Sequence, residues 1–362
     1  MTAACSSWSP SSETLVRVRG IVHMFNTVKR LAGDKPAANQ AKIDAANALF
    51  EEVLAAERAA FGDSPEVEMS KKFLFKSQVE GIFGKTNKFS PFGQVVTYGE
   101  TLKFLRRRIK FAKKVKEVLG DAAKNGGKDL DVGKSVVFIA GLPRTGSTML
   151  HRLLAADKTS RCPLWWEQMH DVEADPTPPA DDKTSRCPLW WEQMHDVEAD
   201  PTPPAELLTD PRSKVVEKSL KNISMITPNL VEEFNRFHKI GAYEVEECAP
   251  FMRRYFNDMD SPYLSEECLE DRNEWLTSPK YDKTFIFTHL RAWFALETTA
   301  FPKDQQMFWC LKAPLFTFFL DEIDQVFEES TFAFTSRDPI NVIPSTCGMV
   351  ECAASFKANW RE

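Results

Sequence analysis

The chain has 362 residues, 43% of them hydrophobic and 27% charged, the balance of a soluble globular protein with a substantial core in one large domain or two modest ones. A net charge of −6 gives no electrostatic reason for bulk nucleic-acid binding. The 8 cysteines form no C-x-x-C pair or metal-ligand cluster in the sequence, and scattered thiols point to a reducing, cytoplasmic setting.

The N-terminal stretch is Ser-rich, poor in acid and carries Arg17 and Arg19, which keeps an organelle transit peptide open as an alternative; Glu13 argues against it. No run approaches the ~20 apolar residues of a membrane-spanning helix. A first helix is expected over 13–31. Over 40–60, Ile43, Ala46, Leu49, Phe50, Val53 and Leu54 recur at helical spacing. Gly62-Asp63-Ser64-Pro65 breaks that pattern, another helix is expected over 66–81, and turn residues fill 81–93. A long amphipathic helix is expected over 95–119. Its apolar side includes Leu102, Leu105, Ile109, Ala112 and Val115, and its other side is a basic stripe, Arg106, Arg107 and Arg108 among it, that reads as a solvated face. Asn125-Gly126-Gly127 marks a linker. Residues 1–130 are therefore read as a helical N-terminal region, followed by an α/β core over 131–362.

In the core, strands are expected at 135–140, 307–312 and 331–336. Helices are expected at 147–156, 212–224, 227–238, 287–298, 315–327 and 339–353, and further strands near 162–166 or at 285–288. Alternating strands and helices predict a three-layer α/β/α fold around a parallel sheet.

The most informative stretch is SVVFIAGLPRTGSTMLHRLLAA, 135–156. A strand, a glycine loop and a helix start aim backbone N–H groups and the positive end of a helix at one point, a socket for phosphate or sulfate. Gly141, Gly146 and Thr148 fit the nucleotide-binding pattern G-x-x-x-x-G-K-[ST]. Ser147 replaces the lysine, and the cation has moved to Arg144, between Pro143 and Thr145. Further on, TFAFTSRDPINVIPSTCGMV places Arg337 beyond a strand end and Ser345 eight residues later in a helix, a pairing that suits a second phosphate. In MFWCLKAP, Lys312 ends a strand, where open α/β sheets bind ligands.

Together, GLPRTGSTMLHRLL, WCLKAP and FTSRDPINVIPS resemble the sulfotransferases that use 3′-phosphoadenosine 5′-phosphosulfate (PAPS), in the branch whose loop reads PR-[ST]-G-[ST]-T. The resemblance implies a P-loop-like α/β fold and transfer of a sulfuryl group from PAPS, without a metal, to a hydroxyl or amine of a small-molecule, lipid or carbohydrate acceptor. It implies that Gly141, Pro143, Arg144, Thr145, Gly146, Ser147 and Thr148 bind the 5′-phosphosulfate. Arg337 and Ser345 would hold the 3′-phosphate, and Lys312 would steady the transferring group. The cytosolic branch has a catalytic histidine two residues after that lysine; here that position is Pro314. Family members also continue past the Arg/Ser helix into a basic glycine loop, whereas this chain ends at Glu362, so a truncated C-terminus is expected.

The base must come from elsewhere. Some relatives place a glutamate twenty to thirty residues past the loop cation, and Glu167, in PLWWEQMH, fits that distance. Glu246 and Glu247, with His238 nearby, are a weaker choice. A complication is DKTSRCPLWWEQMHDVEADPTPPA, which occurs at 157–180 and again without a change at 182–205, so Glu192 competes with Glu167. One sheet has one place for this segment, and the first copy joins the loop helix directly. Trp165, Trp166, Phe251 and Tyr255 are candidates to line an acceptor pocket. Two other functions remain open: a P-loop kinase or NTPase, disfavoured by Ser147 in the lysine position, and a non-catalytic nucleotide-binding protein.

Overall fold

The computed structural model describes residues 36–155 except 63, 133 and 134, then 157, 160–165, 168, 217, 220, 221, 235, 241, 244–255, 264–299 and 308–354. The helices expected at 13–31, 212–224 and 227–238 lie wholly or mostly outside those residues.

Among the described residues, three long helices come first: α1 (Pro36–Phe61), α2 (Pro65–Phe83) and α3 (Pro91–Leu119). Both later starts follow a Ser-Pro pair. The Ser64 hydroxyl accepts from the Val67 amide at 3.3 Å, and the Ser90 hydroxyl from the Gly93 amide at 2.9 Å. Such N-caps satisfy amides that have no partner within the helix. The Ser90 cap is why α3 begins four residues before the expected 95. Arg108 departs from the expected solvated face of this helix. It is 2% exposed and makes a two-pronged contact with Glu57 of α1, at 2.7 and 3.0 Å.

Among the described residues the sheet has four parallel strands. β1 (Val136–Ala140) lies between β3 (Phe308–Lys312) and β4 (Thr331–Phe334), and β2 (Ser160–Arg161) is outermost on the β3 side. The helix α4 (Ser147–Ala155) joins β1 to β2. The expected fourth strand thus exists, just ahead of 162, and it comes from the first copy of the repeated segment. The other expected location, 285–288, is helical, inside α7 (Thr284–Thr299). Phe285, Ile286 and Phe287 are all buried, and a run that is apolar on every side lacks the periodicity that separates strand from helix. The Asp282 carboxylate accepts from the Thr284 amide at 2.8 Å and sets the helical start.

Two helices had no counterpart in the expected core: α5 (Ala249–Arg253) and α6 (Glu266–Thr277). The latter is mostly polar but seats Trp275 against α2, its indole N–H donating to the Ser70 hydroxyl at 2.8 Å. The helix expected at 315–327 is split into a 3-10 turn (Pro314–Phe318) and α8 (Leu320–Val326). The last helix, α9 (Pro339–Ala354), matches its expected span within a residue.

Side chains alternate across the strands. Val136, Phe138 and Ala140 of β1, with Trp309 and Leu311 of β3, join a core that extends to α1, α3 and α7. Ile139 and Cys310 face the other way, toward Ala155 and Leu150 of α4. By the same alternation Lys312 shares the α4 side with Cys310 and meets the helix that follows the glycine loop. No helix among the described residues is long and apolar enough to cross a membrane.

Candidate functional site

The carboxyl ends of β1, β3 and β4 converge with the start of α4 and with α9. Residues 141–146 make the turn between β1 and α4, and three of them have positive φ: Gly141 (134°), Arg144 (68°) and Gly146 (93°). At Gly141 only glycine fits, because a Cβ there would lie 2.5 Å from the Thr335 carbonyl oxygen. Arg144 holds a left-handed conformation that an L-residue with a side chain rarely adopts, and that conformation turns the loop's cation toward α9.

There, Arg144 Nε donates to the Ser345 hydroxyl at 2.9 Å. Arg337, past the end of β4, reaches the Arg144 carbonyl through Nη1 at 3.4 Å. The three residues expected from two separate motifs, Arg144, Arg337 and Ser345, therefore meet at one corner with the loop around Gly146. Burial lowers the pKa of Arg144, and the neighbouring Arg337 charge lowers it further. Two guanidinium groups close enough to feel each other's charge repel, and an anion shared between them would turn that repulsion into a joint grip.

Lys312 sits at the end of β3, 4% exposed. Its ammonium donates to the Thr148 hydroxyl at 3.3 Å and forms an ion pair with the carboxylate of Glu247. The backbone around Glu247 is tied in on both sides. The Cys248 amide donates to the Lys312 carbonyl at 2.7 Å, and the Glu246 amide to the Pro163 carbonyl at 3.0 Å. Trp165 donates from its amide to Glu244, and Gln168 from its side chain to the Glu246 carbonyl. The first copy of the repeat thus packs against the segment that presents Glu247. Glu167, Glu192, Trp166 and His238 lie outside the described residues.

Ser147, the substitute for the usual lysine, is 4% exposed at the first position of α4. Two residues not singled out from the sequence support the loop. The Thr317 hydroxyl accepts from the Gly141 amide at 3.0 Å, and the Thr335 hydroxyl lies 2.7 Å from that of Thr145. Both follow strand ends in the sequence, but nothing in their spacing marks them. Phe251 and Tyr255 do not line a pocket: they are 0% and 1% exposed, and the Tyr255 hydroxyl bonds to His289 Nδ1 at 2.8 Å. They belong to the core.

A corner of loop amides, two arginines and a serine, beside a lysine–glutamate pair, can bind a polyanion and handle a proton next to it. A family model described as the sulfotransferase family matches residues 136–361. The fold is similar to that of sulfotransferase STF9 from Mycobacterium avium, with 20% identity and a TM-score of 0.61, covering 86% of this chain and 68% of that one. It is also similar to that of sulfotransferase STF1 from Mycobacterium tuberculosis H37Rv, with 17% identity and a TM-score of 0.59, covering 85% and 72%. No curated protein matches the sequence.

Proposed function

The chain belongs to the sulfotransferase family, and on that premise we propose that it moves a sulfuryl group from PAPS to a hydroxyl or amine of a small-molecule, lipid or carbohydrate acceptor in the cytoplasm. The observation that carries this reading is the position of Lys312 between Thr148, at the head of α4, and Glu247. This supports a reading in which the ammonium meets the charge that grows on the bridging oxygen and the carboxylate takes the acceptor's proton.

PAPS supplies an activated sulfuryl group and two anionic ends. The amides of 141–148 and the N-terminus of α4 receive the phosphosulfate end, with Arg144 beside them. Arg337 and Ser345 take the 3′-phosphate, close enough to Arg144 for the two arginines to share the ligand's charge. Lys312 leaves Glu247 for the oxygen between sulfur and phosphorus, and it stabilises the charge that develops there. Glu247, released from its ion pair, accepts the acceptor's proton as the new oxygen–sulfur or nitrogen–sulfur bond forms and the old sulfur–oxygen bond breaks. Glu167 and Glu192 are the rival bases. No step draws on a metal.

The test is transfer of labelled sulfate from PAPS to a metabolite extract by the full chain, with Glu247→Gln, Glu167→Gln and Glu192→Gln in parallel. Transfer that only Glu247→Gln abolishes supports the assignment. Transfer lost only in one of the other two moves the base to that copy of the repeat. Mg²⁺-dependent ATP turnover without sulfate transfer would establish the kinase or NTPase alternative. Binding of PAP, the desulfated product of PAPS, without any transfer would establish a binding protein.

A further inference from the structure

We propose that His151, Cys162 and Cys310 form a site for one thiophilic d¹⁰ metal ion, Zn²⁺ or Cu⁺, which ties the glycine-loop helix to the sheet. Their ligand atoms all lie within 4.8 Å of one another. They come from three places: α4, the stretch just past β2, and β3, which is remote from the first two in sequence. A lone His and Cys eleven residues apart, with the third ligand far down the chain, show no recognisable metal-ligand spacing in the sequence.

Thiols are common in apolar cores, so their burial is not the argument. The argument is the imidazole among them. His151 is 2% exposed and projects into a cluster otherwise formed by Ile139, Ala155, Leu164 and Val245 with the two cysteines. Its Nε2 lies 3.1 Å from the Cys310 carbonyl oxygen. An imidazole anchored to a carbonyl through one N–H keeps a lone pair on its other nitrogen, and metal-binding histidines are oriented in this way. The Cys162 and Cys310 sulfurs and a ring nitrogen of His151 converge to within 4.8 Å of one another. The Ser160 hydroxyl lies 3.7 Å from Cys162 Sγ.

One nitrogen and two sulfurs in a dry pocket suit soft d¹⁰ ions; a three-ligand set fits Cu⁺, and a fourth ligand completes the tetrahedron that Zn²⁺ prefers. On binding, two metal–sulfur bonds form and two thiol protons leave to solvent. With Zn²⁺ the charges of ion and thiolates cancel. The ion would fix α4 against β3, the elements that carry Thr148 and Lys312, and the inference does not depend on which reaction those residues serve.

The test uses the full chain, purified under reducing conditions and stripped with a chelator. One portion is titrated with Co²⁺ and then Zn²⁺, and another with Cu⁺ against a chromogenic competitor. The expected result is one equivalent bound in at least one arm; in the first arm a sulfur-to-cobalt charge-transfer band appears and Zn²⁺ then removes it. Cys162→Ser, Cys310→Ser and His151→Gln should each weaken binding at least about tenfold. Cys347→Ser, which alters an exposed thiol outside the cluster, should bind like the unaltered chain. The unaltered chain's titration stands whether or not the variants fold. A folded chain with titratable thiols and no stoichiometric metal in either arm overturns the proposal. So does a Cys162–Cys310 disulfide as the stable form of metal-free protein.

Discussion

In the N-terminal helices, Lys71 and Arg108 converge on the carboxylate of Glu57, and the three side chains are 8%, 2% and 2% exposed. At the carboxyl end of the sheet, Arg337 instead donates to the Arg144 backbone carbonyl, and Arg144 Nε donates to the hydroxyl of Ser345. Burial alone would raise the pKa of Glu57, but the surrounding cations outweigh it and hold the carboxyl far below its usual range. The first cluster closes its charges on one another and joins α1, α2 and α3. The second gathers like charge at a loop whose backbone amides already favour an anion. The neighbours of the two sets of cations thus differ: a shared carboxylate in the first, a second guanidinium and a loop of amides in the second.

The contrast can be broken first at its sealed end. Glu57→Gln leaves Lys71 and Arg108 buried without their carboxylate and should destabilise the fold by about 3–5 kcal/mol in urea unfolding. PAP affinity of the molecules that remain folded should not change. A loss under about 1 kcal/mol would mean that the network contributes no more than a surface pair.

At the open end, Lys312→Met should lower kcat/KM about 10²–10³-fold, as for the loss of one preorganised donor, while unfolding changes far less than in Glu57→Gln. An equal loss of stability and activity would make Lys312 a structural residue.

A pH series sharpens the comparison further. Burial pushes the pKa of His289 well below its ordinary value, so the unfolded chain takes up a proton that the folded chain refuses. Stability should therefore fall as pH drops below about 6.5, the unfolded value of histidine. Glu57, held low, adds a second loss below about 4.3, because its contribution is complete above the unfolded carboxylate value and disappears as pH falls toward the folded one. His289→Gln should flatten the first slope and leave the second.

The smallest effect is expected at Ser90, whose hydroxyl caps α3. Ser90→Ala should cost about 1 kcal/mol of stability and leave PAP binding alone.

Much of this arrangement was legible in the sequence, for reasons that differ by element. β1, β3 and β4 are short β-branched or aromatic runs that stop at chemically distinctive residues, so their positions came within two residues. The loop was legible because Gly141 and Gly146 are demanded by backbone geometry, a constraint local to the chain. Arg144 and Ser345 were each visible, but their contact was not, since it depends on the left-handed turn at Arg144 and the angle of α9. Arg108 was misplaced because helical periodicity shows which face a side chain occupies and cannot show Glu57 waiting fifty-one residues away. Run 285–288 was ambiguous because a fully buried helix is apolar all round. Glu247 carries no signature of its own, and only the fold brings it to Lys312.

The most direct test of the central claim, that one corner holds both ends of one nucleotide, is calorimetry of PAP and of its analogue lacking the 3′-phosphate, with the full chain and Arg337→Ala. The account predicts stoichiometric PAP binding, weaker binding of the analogue by about 1.5–3 kcal/mol, and near disappearance of that difference in Arg337→Ala. A folded chain that binds neither ligand, or binds both equally, would contradict it.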